Sequence, residues 1–150
     1  MKKALYIFTS VIAYFALCMA MISCDIETSD NGNLDGFWQL TQIDSIANNK
    51  SVLVKESQIF WAIQTDVMEV RNISAGDTKI LFRFNKTGNQ LTIHTPYMEK
   101  DKDHRELLSD STVLKPYYIQ GLEETYEIDK LNNSNMQLSG SVLRLHFRKY

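Results

Sequence analysis

The acid–base and metal chemistry open to this chain depends first on its three histidines, since imidazole is the side chain that titrates near neutral pH. His94, His104 and His146 are scattered and form no ligand-spaced motif with a cysteine or a carboxylate. The sequence also lacks the Gly-x-Ser-x-Gly turn of a serine hydrolase and the glycine-rich loop that holds phosphate. We therefore predict no metal, no cofactor and no catalytic centre.

Aromatic side chains offer a different chemistry, the holding of an apolar ligand. The candidates for lining such a pocket are Trp61, Phe82, Phe84, Tyr117, Tyr118 and Tyr126. The alternative is that the same rings simply fill the core of the domain. Tyr117 and Tyr118 are adjacent, and adjacent strand residues face opposite ways, so at least one of them lies outside the core or at the mouth of a pocket.

Length, charge and cysteine content limit the possible functions. A chain of 150 residues has the size of one domain. Its formal net charge of −2 supplies no clustered positive face, so we predict no nucleic-acid partner. The two cysteines, Cys18 and Cys24, both lie near the N-terminus. The remainder of the chain therefore has no internal disulfide and depends on its apolar core.

The N-terminus has the features of an export signal. Two lysines precede an almost continuous apolar run over residues 4–22. Such a run would also suit an uncleaved anchor, which needs about 20 apolar residues, or an ordinary secretory signal. Met-Ile-Ser-Cys at 21–24, however, resembles the bacterial lipobox, in which a small residue precedes a lipidated cysteine. This resemblance implies a lipoprotein signal peptide over 1–23 and a membrane anchor at Cys24.

Residues 24–33 are polar and are predicted to form a flexible tether before a domain over 34–150. Asp25, Glu27 and Asp30 resemble the acidic surface-export signals of Bacteroidetes lipoproteins, although here the acids are spread out. The resemblance implies the cell envelope, at the outer membrane, and leaves both a periplasmic and a surface-facing placement open.

Downstream of the tether, apolar and polar residues alternate with the two-residue period of β-strands. Turn residues recur between these runs at the spacing of an all-β sandwich or barrel. Strands are predicted over residues 37–44, 57–64, 68–71, 80–85, 91–95, 124–129, 136–138 and 142–148. The fifth of these is expected to stop at Pro96. The sequence therefore predicts about eight strands and no long helix.

Residues 97–120 break the alternation. A mixed-charge run over 99–106 leads into an apolar stretch that Pro116 interrupts. This composition predicts a surface loop with room for one or two helical turns. Long connections of this kind are often lids or binding loops.

The stretch Gly36-Phe37-Trp38, with Leu40 two residues later, resembles the Gly-x-Trp motif that opens a lipocalin barrel. Together with the lipobox, the tether and an alternating closing strand over 143–148, it makes the chain similar to the small lipocalin-like, calycin-type lipoproteins of Bacteroidetes. The resemblance implies an all-β fold, an eight-stranded antiparallel up-and-down barrel after the signal peptide.

In lipocalins an arginine near the end of the last strand packs over the opening tryptophan. Arg148 matches best by position and Arg144 second, so the resemblance implies a barrel floor of Gly36, Trp38 and Arg148 with a cation–π contact. With one end sealed, eight strands leave room for one small ligand.

The resemblance thus implies a lipid-anchored, non-catalytic protein that binds a small apolar ligand in its barrel. The alternative is an interaction or inhibitor module with a filled barrel, which contacts another envelope protein through the 97–120 loop. An enzyme would need a cluster of titratable residues inside the barrel that the sequence does not indicate.

Overall fold

The computed structural model describes residues 29–99 and 104–150, which form one β-sheet. Its strands are β1 (Gly36–Ser45), β2 (Ser51–Leu53), β3 (Ile59–Gln64), β4 (Val67–Asn72), β5 (Thr78–Thr87), β6 (Gln90–Glu99), β7 (Arg105–Leu107), β8 (Glu124–Leu131), β9 (Asn135–Ser139) and β10 (Leu143–Lys149). The 3₁₀ helices in these residues are Gly32–Leu34, Lys55–Ser57, Ile73–Ala75 and Ser111–Tyr117.

Eight of the strands close into a barrel. They follow one another in the order β1-β3-β4-β5-β6-β8-β9-β10, and β10 returns to pair antiparallel with β1. The short strands β2 and β7 pair outside this circuit, with β1 and β6 respectively. The predicted all-β fold, an eight-stranded antiparallel up-and-down barrel, is therefore confirmed.

The alternation of side chains decides which face of each strand points inward. On β5, Ile80, Phe82 and Phe84 are buried, whereas Arg83 and Asn85 are exposed. Inward residues from all eight barrel strands join one apolar cluster. Burying one large apolar side chain stabilises a fold by about 1.5–3 kcal/mol, so this cluster holds the domain together.

The expectation that Pro96 ends its strand is wrong. β6 continues beyond it to Glu99, and the pairing with β5 shifts in register between Leu81 and Arg83. Thr95, just before the proline, has a φ of +52°. These features mark a β-bulge, where a residue needs no ladder N–H, and a proline is therefore tolerated.

The predicted signal peptide and Cys24 lie outside the described residues, and of the predicted tether only 29–33 is described. Here Asn31 Nδ2 donates to the carbonyl of Thr65 at 2.7 Å and to Oδ1 of Asp35 at 2.9 Å. This end of the tether is therefore bonded to the turn between β3 and β4. Across residues 29–99 and 104–150, no helix combines the length and apolarity needed to cross a bilayer.

Candidate functional site

One end of the barrel, the floor, is closed by Trp38. Its indole is fully buried, and Nε1 donates to the backbone carbonyl of Leu34 at 2.8 Å. Lys149 lies opposite on β10 and places its Nζ 4.8 Å from the centroid of the ring. Gly36 makes room for this lysine, because its φ is +137° and a Cβ there would overlap the Lys149 side chain. The floor is thus fixed by a hydrogen bond and a cation–π contact.

The prediction that Arg148 packs over Trp38 is wrong. Side chains alternate along β10, so Lys149 shares the inward face and Arg148 points outward. The Arg148 guanidinium instead donates to Oε1 of Gln39 at 3.1 Å on the outer face. Arg144, the second candidate, also lies on the outer face and pairs with an acidic side chain there.

We expect Lys149→Met to lower the free energy of unfolding by about 0.5–1 kcal/mol, the usual value of a partly exposed cation–π contact. It should also shift the fluorescence of Trp38, because the charge over the indole is lost. Arg148→Met is the matched control and should leave the emission unchanged. Denaturant titration followed by tryptophan fluorescence measures both quantities. A spectral shift in Arg148→Met alone would contradict this assignment.

Four of the six predicted pocket residues lie inside the barrel. Trp61, Phe82 and Tyr126 are at most 1% exposed, and Phe84 is 6% exposed. The Trp61 ring reaches across the barrel, with its centroid 5.9 Å from that of Tyr126 and 4.8 Å from that of Phe147. These rings form the centre of the core, and their role in holding a ligand stays a prediction.

Trp61 carries an unpaired polar group in this interior. It is fully buried, and its Nε1 has no hydrogen-bond acceptor among the residues that the structure describes. Trp38, its partner in the β1–β3 pairing, donates to a carbonyl instead. A buried donor without an acceptor costs about 1–3 kcal/mol, so the Trp61 N–H is a destabilising feature of the barrel interior.

A buried carboxyl group connects the interior with the other end of the barrel, the mouth. Oε2 of Glu124 accepts from the Tyr126 hydroxyl and from the Gln120 backbone N–H, both at 2.8 Å. Burial raises the pKa of Glu124, and these two hydrogen bonds oppose the rise. Burial also raises the pKa of Tyr126 well above its usual value, so its hydroxyl stays protonated and donates.

The mouth is covered by residues 111–120, which we call the cap. Its 3₁₀ helix starts after Asp110, whose carboxylate accepts from the N–H of Thr112 at 2.8 Å. The helix ends at Tyr118, which has a left-handed φ of +61°. This helix end, and not strand alternation, separates the buried Tyr117 from the half-buried Tyr118.

The cap closes the mouth with three apolar side chains and a few hydrogen bonds. Leu114, Tyr117 and Ile119 are at most 5% exposed and belong to the core cluster. The bonds to the barrel include Tyr117 Oη to the Thr78 carbonyl at 3.2 Å, Asn72 Nδ2 to the Pro116 carbonyl at 3.3 Å, and the Gln120 N–H to Glu124. The predicted surface loop is therefore, in this part, a buried plug.

The interior beneath the cap is filled by side chains. Trp61 and the three cap side chains are almost fully buried, whereas a space that admitted water would leave them exposed. An open groove of about 710 Å³ lies on the outer face near the floor, lined by Phe37, Ala62 and Leu81 among others. None of the six predicted pocket residues lines this groove.

Two of the three histidines lie in polar clusters on the outer face. His146 Nε2 lies 2.6 Å from Asp44 Oδ2, and the Ser51 hydroxyl also bonds this carboxylate. The carboxylate thus lies between serine and histidine, whereas in a nucleophilic triad the imidazole holds that position. His94 contacts Asn85 at 3.1 Å. Within the described parts of the chain, no group of three or more His, Cys, Asp and Glu could hold a metal ion.

Asp44 is expected to make stability depend on pH. The Ser51 hydroxyl, helped by Gln42 and His146, holds the pKa of Asp44 at about 2. Because the folded-state pKa is depressed, the stabilisation is present above about pH 4 and is lost as the pH falls through about 2. We expect Asp44→Asn to cost about 1 kcal/mol near neutral pH, since solvent screens part of the effect. Thermal unfolding across this pH range should show the difference shrinking in acid; a pH-independent difference would contradict it.

The comparisons with known proteins agree with this architecture. A family described as a lipocalin-like domain matches residues 17–150. A lipocalin-like protein from Bacteroides uniformis has a TM-score of 0.62 and 22% identity, covering 79% of this chain and 100% of its own. An uncharacterized protein from Bacteroides eggerthii has a TM-score of 0.57 and 18% identity, covering 77% and 98%. No curated protein matches the chain. The first and last strands close the barrel, and the family model matches most of the chain. The chain therefore belongs to the lipocalin-like domain family.

Proposed function

We propose that this protein is a lipid-anchored, non-catalytic binding protein of the cell envelope that holds a small, mainly apolar ligand inside its barrel. The cap is the observation that carries the proposal, because a separate segment covers the mouth of an apolar and aromatic interior. Lipocalin-like proteins are generally binding proteins, and membership in the family supports the same function.

Entry of the ligand requires the cap to move. Leu114, Tyr117 and Ile119 fill the mouth and belong to the same apolar cluster as Trp61 and Tyr126, so a ligand that enters from the mouth must first displace them. The hydrogen bonds that tie the cap down are few, and two of them exceed 3.1 Å. Segments with few such ties open at lower free-energy cost than the paired strands of a barrel.

The lipid anchor is proposed from the sequence around Cys24, with the outer membrane as its location and either face open. Cleavage before Cys24 would remove two lysines and change the formal charge from −2 to −4. One acyl chain binds a bilayer only marginally, at about 0.8 kcal/mol per buried CH₂, whereas a diacylglycerol with a third, amide-linked chain would not detach.

Cys24→Ser is expected to abolish lipid attachment. The variant should either appear in the soluble fraction or keep its signal peptide uncut, and its mass should lack the acyl groups. Cys18→Ser is the matched control, because Cys18 lies inside the predicted signal peptide and should leave anchoring intact. Fractionation combined with mass spectrometry measures both. A Cys24→Ser protein that is still cleaved and still acylated would disprove the anchor.

A second candidate is an interaction or inhibitor module that acts on another envelope protein. The observation that favours it is the filled interior, in which Trp61 and Tyr126 are at most 1% exposed. Apolar side chains are also exposed near the mouth, with Ile73 43% and Leu107 55% exposed. Such a module would use the 97–120 segment as a contact surface and would never open its barrel.

Native mass spectrometry and titration with the neutral dye N-phenyl-1-naphthylamine separate the two candidates. The binding proposal expects a co-purified or added small molecule at one per chain, and dye fluorescence that the molecule reverses. A chain that carries no ligand and does not take up dye would overturn the binding proposal and favour the interaction module.

A further inference from the structure

The indole N–H of Trp61 is a hydrogen-bond donor inside the barrel that the protein does not satisfy. The indole is fully buried among the rings of Tyr126 and Phe147, and its Nε1 has no acceptor among the described residues. The other indole of the chain, that of Trp38, has a full hydrogen bond to the Leu34 carbonyl. Native interiors rarely leave a donor unpaired, so this atom needs an explanation.

The surroundings of this donor also restrict the charge of a ligand. Within residues 29–99 and 104–150, the buried polar side chains are Gln39, Asn72 and Glu124, and no buried lysine, arginine or histidine is among them. A carboxylate placed at Trp61 would therefore have no fully buried cation to pair with, since the inward-facing Lys149 is only half-buried and lies over the Trp38 ring. Burying such an unpaired charge costs far more than burying a neutral carbonyl.

A continuous set of contacts connects this donor with the cap. The Trp61 ring packs edge-on against Tyr126, whose hydroxyl bonds Glu124, and Glu124 accepts from the N–H of Gln120 at the end of the cap. Displacement of the cap breaks the hydrogen bond between Gln120 and Glu124, which is the first contact of this set. The set therefore marks the route by which a ligand entering from the mouth would approach Trp61.

From these observations we infer that Trp61 Nε1 is the polar anchor of the barrel ligand, and that the ligand is an uncharged apolar molecule with one hydrogen-bond acceptor, such as a ketone or an ester. The inference rests on the proposed function and adds the ligand's chemical class to it. An apolar body fills the space that the cap side chains vacate, and its oxygen accepts from the indole.

Three probes of similar length test this inference: 2-nonanone, nonane and nonanoate. Each competes with N-phenyl-1-naphthylamine for the full chain carrying Cys24→Ser, which keeps lipid out of the assay. We expect 2-nonanone to bind about three- to tenfold more tightly than nonane, the value of one net hydrogen bond. Nonanoate should bind more weakly than 2-nonanone, because its charge has no buried partner.

Trp61→Phe removes the donor and keeps an aromatic ring. We expect the ratio of 2-nonanone to nonane affinity to fall to about one in this variant. Trp38→Phe is the matched control: it deletes an equally buried indole N–H, but one that the protein already satisfies, so the preference should survive. A preference unchanged in Trp61→Phe would overturn the inference.

Indole NMR of the unsubstituted tryptophans covers the case in which Trp61→Phe does not fold. The chain has two tryptophans, so 2-nonanone should shift one indole N–H resonance strongly, that of Trp61, with Trp38 as the internal reference. Equal or absent shifts with bound 2-nonanone would overturn the inference. Failure of all three probes to displace or bind would overturn the proposed function itself, so the two failures are distinguishable. Tighter binding of nonanoate than of 2-nonanone would overturn the assignment of an uncharged ligand.

Discussion

Trp38→Ala is expected to lower the free energy of unfolding by about 3–5 kcal/mol, the usual cost of deleting a fully buried large aromatic. The indole is completely buried, so the substitution leaves a cavity at the floor. It also leaves the Leu34 carbonyl without its donor at 2.8 Å and the Lys149 ammonium without its ring. Because small domains have only about 5–15 kcal/mol of stability, the variant should be largely unfolded at modest temperature.

Denaturant titration followed by circular dichroism measures this loss. Circular dichroism reports on all the strands, whereas tryptophan fluorescence in this variant would report only on the surroundings of Trp61. Phe37→Ala is the neighbouring control: Phe37 points outward, is half-buried and stacks on Phe60 at a centroid distance of 4.8 Å. It should cost clearly less than Trp38→Ala. An unchanged denaturation curve for Trp38→Ala would mean that the indole is not in the core.

The barrel could be predicted because its determinants are local. Along β5 the buried residues Ile80, Phe82 and Phe84 alternate with Leu81, Arg83 and Asn85, of which the last two are polar and exposed. A two-residue period assigns each of these side chains to a face without knowledge of its neighbours. The same rule applied to β10 assigns Lys149, not Arg148, to the face of Trp38. Position in the family favours Arg148, whereas the alternation along the strand assigns Arg148 to the outer face.

Other features depend on contacts between distant segments. Pro96 predicts the end of a strand, because proline has no backbone N–H to donate to the neighbouring strand. The pairing jumps from Leu81 with Tyr97 to Arg83 with His94, so two β6 residues, one of them Pro96, face a single β5 residue and the requirement for that N–H is removed. A bulge of this kind is a property of two strands, so one strand's sequence cannot show it.

The polar part of the candidate site was missed for a related reason. Glu124 lies two residues before the inward Tyr126, so the alternation does place it on the inner face. A single acidic residue at an inward position contradicts the apolar pattern, because a buried carboxyl group is unfavourable unless it has hydrogen-bond partners. Those partners, the Gln120 N–H and the Tyr126 hydroxyl, come together only after the cap has folded back over the mouth.

The cap itself shows no period, and its burial follows from tertiary packing. Residues 111–120 alternate neither as a strand nor as an amphipathic α-helix, and Pro116 favours an irregular segment. Leu114, Tyr117 and Ile119 reach the core because the helix is 3₁₀ and ends at the left-handed Tyr118. The apolar residues were visible in the sequence, but the surface they cover was not.

Leu114→Glu is expected to release the cap. Leu114 is fully buried, so the variant must either bury an unpaired carboxylate, at a cost of several kcal/mol, or move the cap into water. Loss of the leucine from the core alone costs about 2–5 kcal/mol. The barrel strands should keep their pairing, because the cap contributes no strand to the closed circuit and joins it through side-chain packing and single hydrogen bonds. The cheaper outcome is therefore an open mouth on a folded barrel.

The measurement is hydrogen exchange combined with dye uptake. In Leu114→Glu the amides of the cap should exchange much faster, while those of β5 and β10 stay protected, and N-phenyl-1-naphthylamine should bind without the delay of cap opening. Lys115→Glu is the control, because Lys115 is the exposed neighbour on the same helix. This substitution changes the net charge more than Leu114→Glu does, but it buries no charge. Rapid exchange in both variants would show that charge, and not burial, controls the cap. Protection equal to the wild type in Leu114→Glu would show that Leu114 does not hold the mouth closed. An opened cap without dye uptake would show that the barrel interior stays filled by side chains, as the interaction module requires.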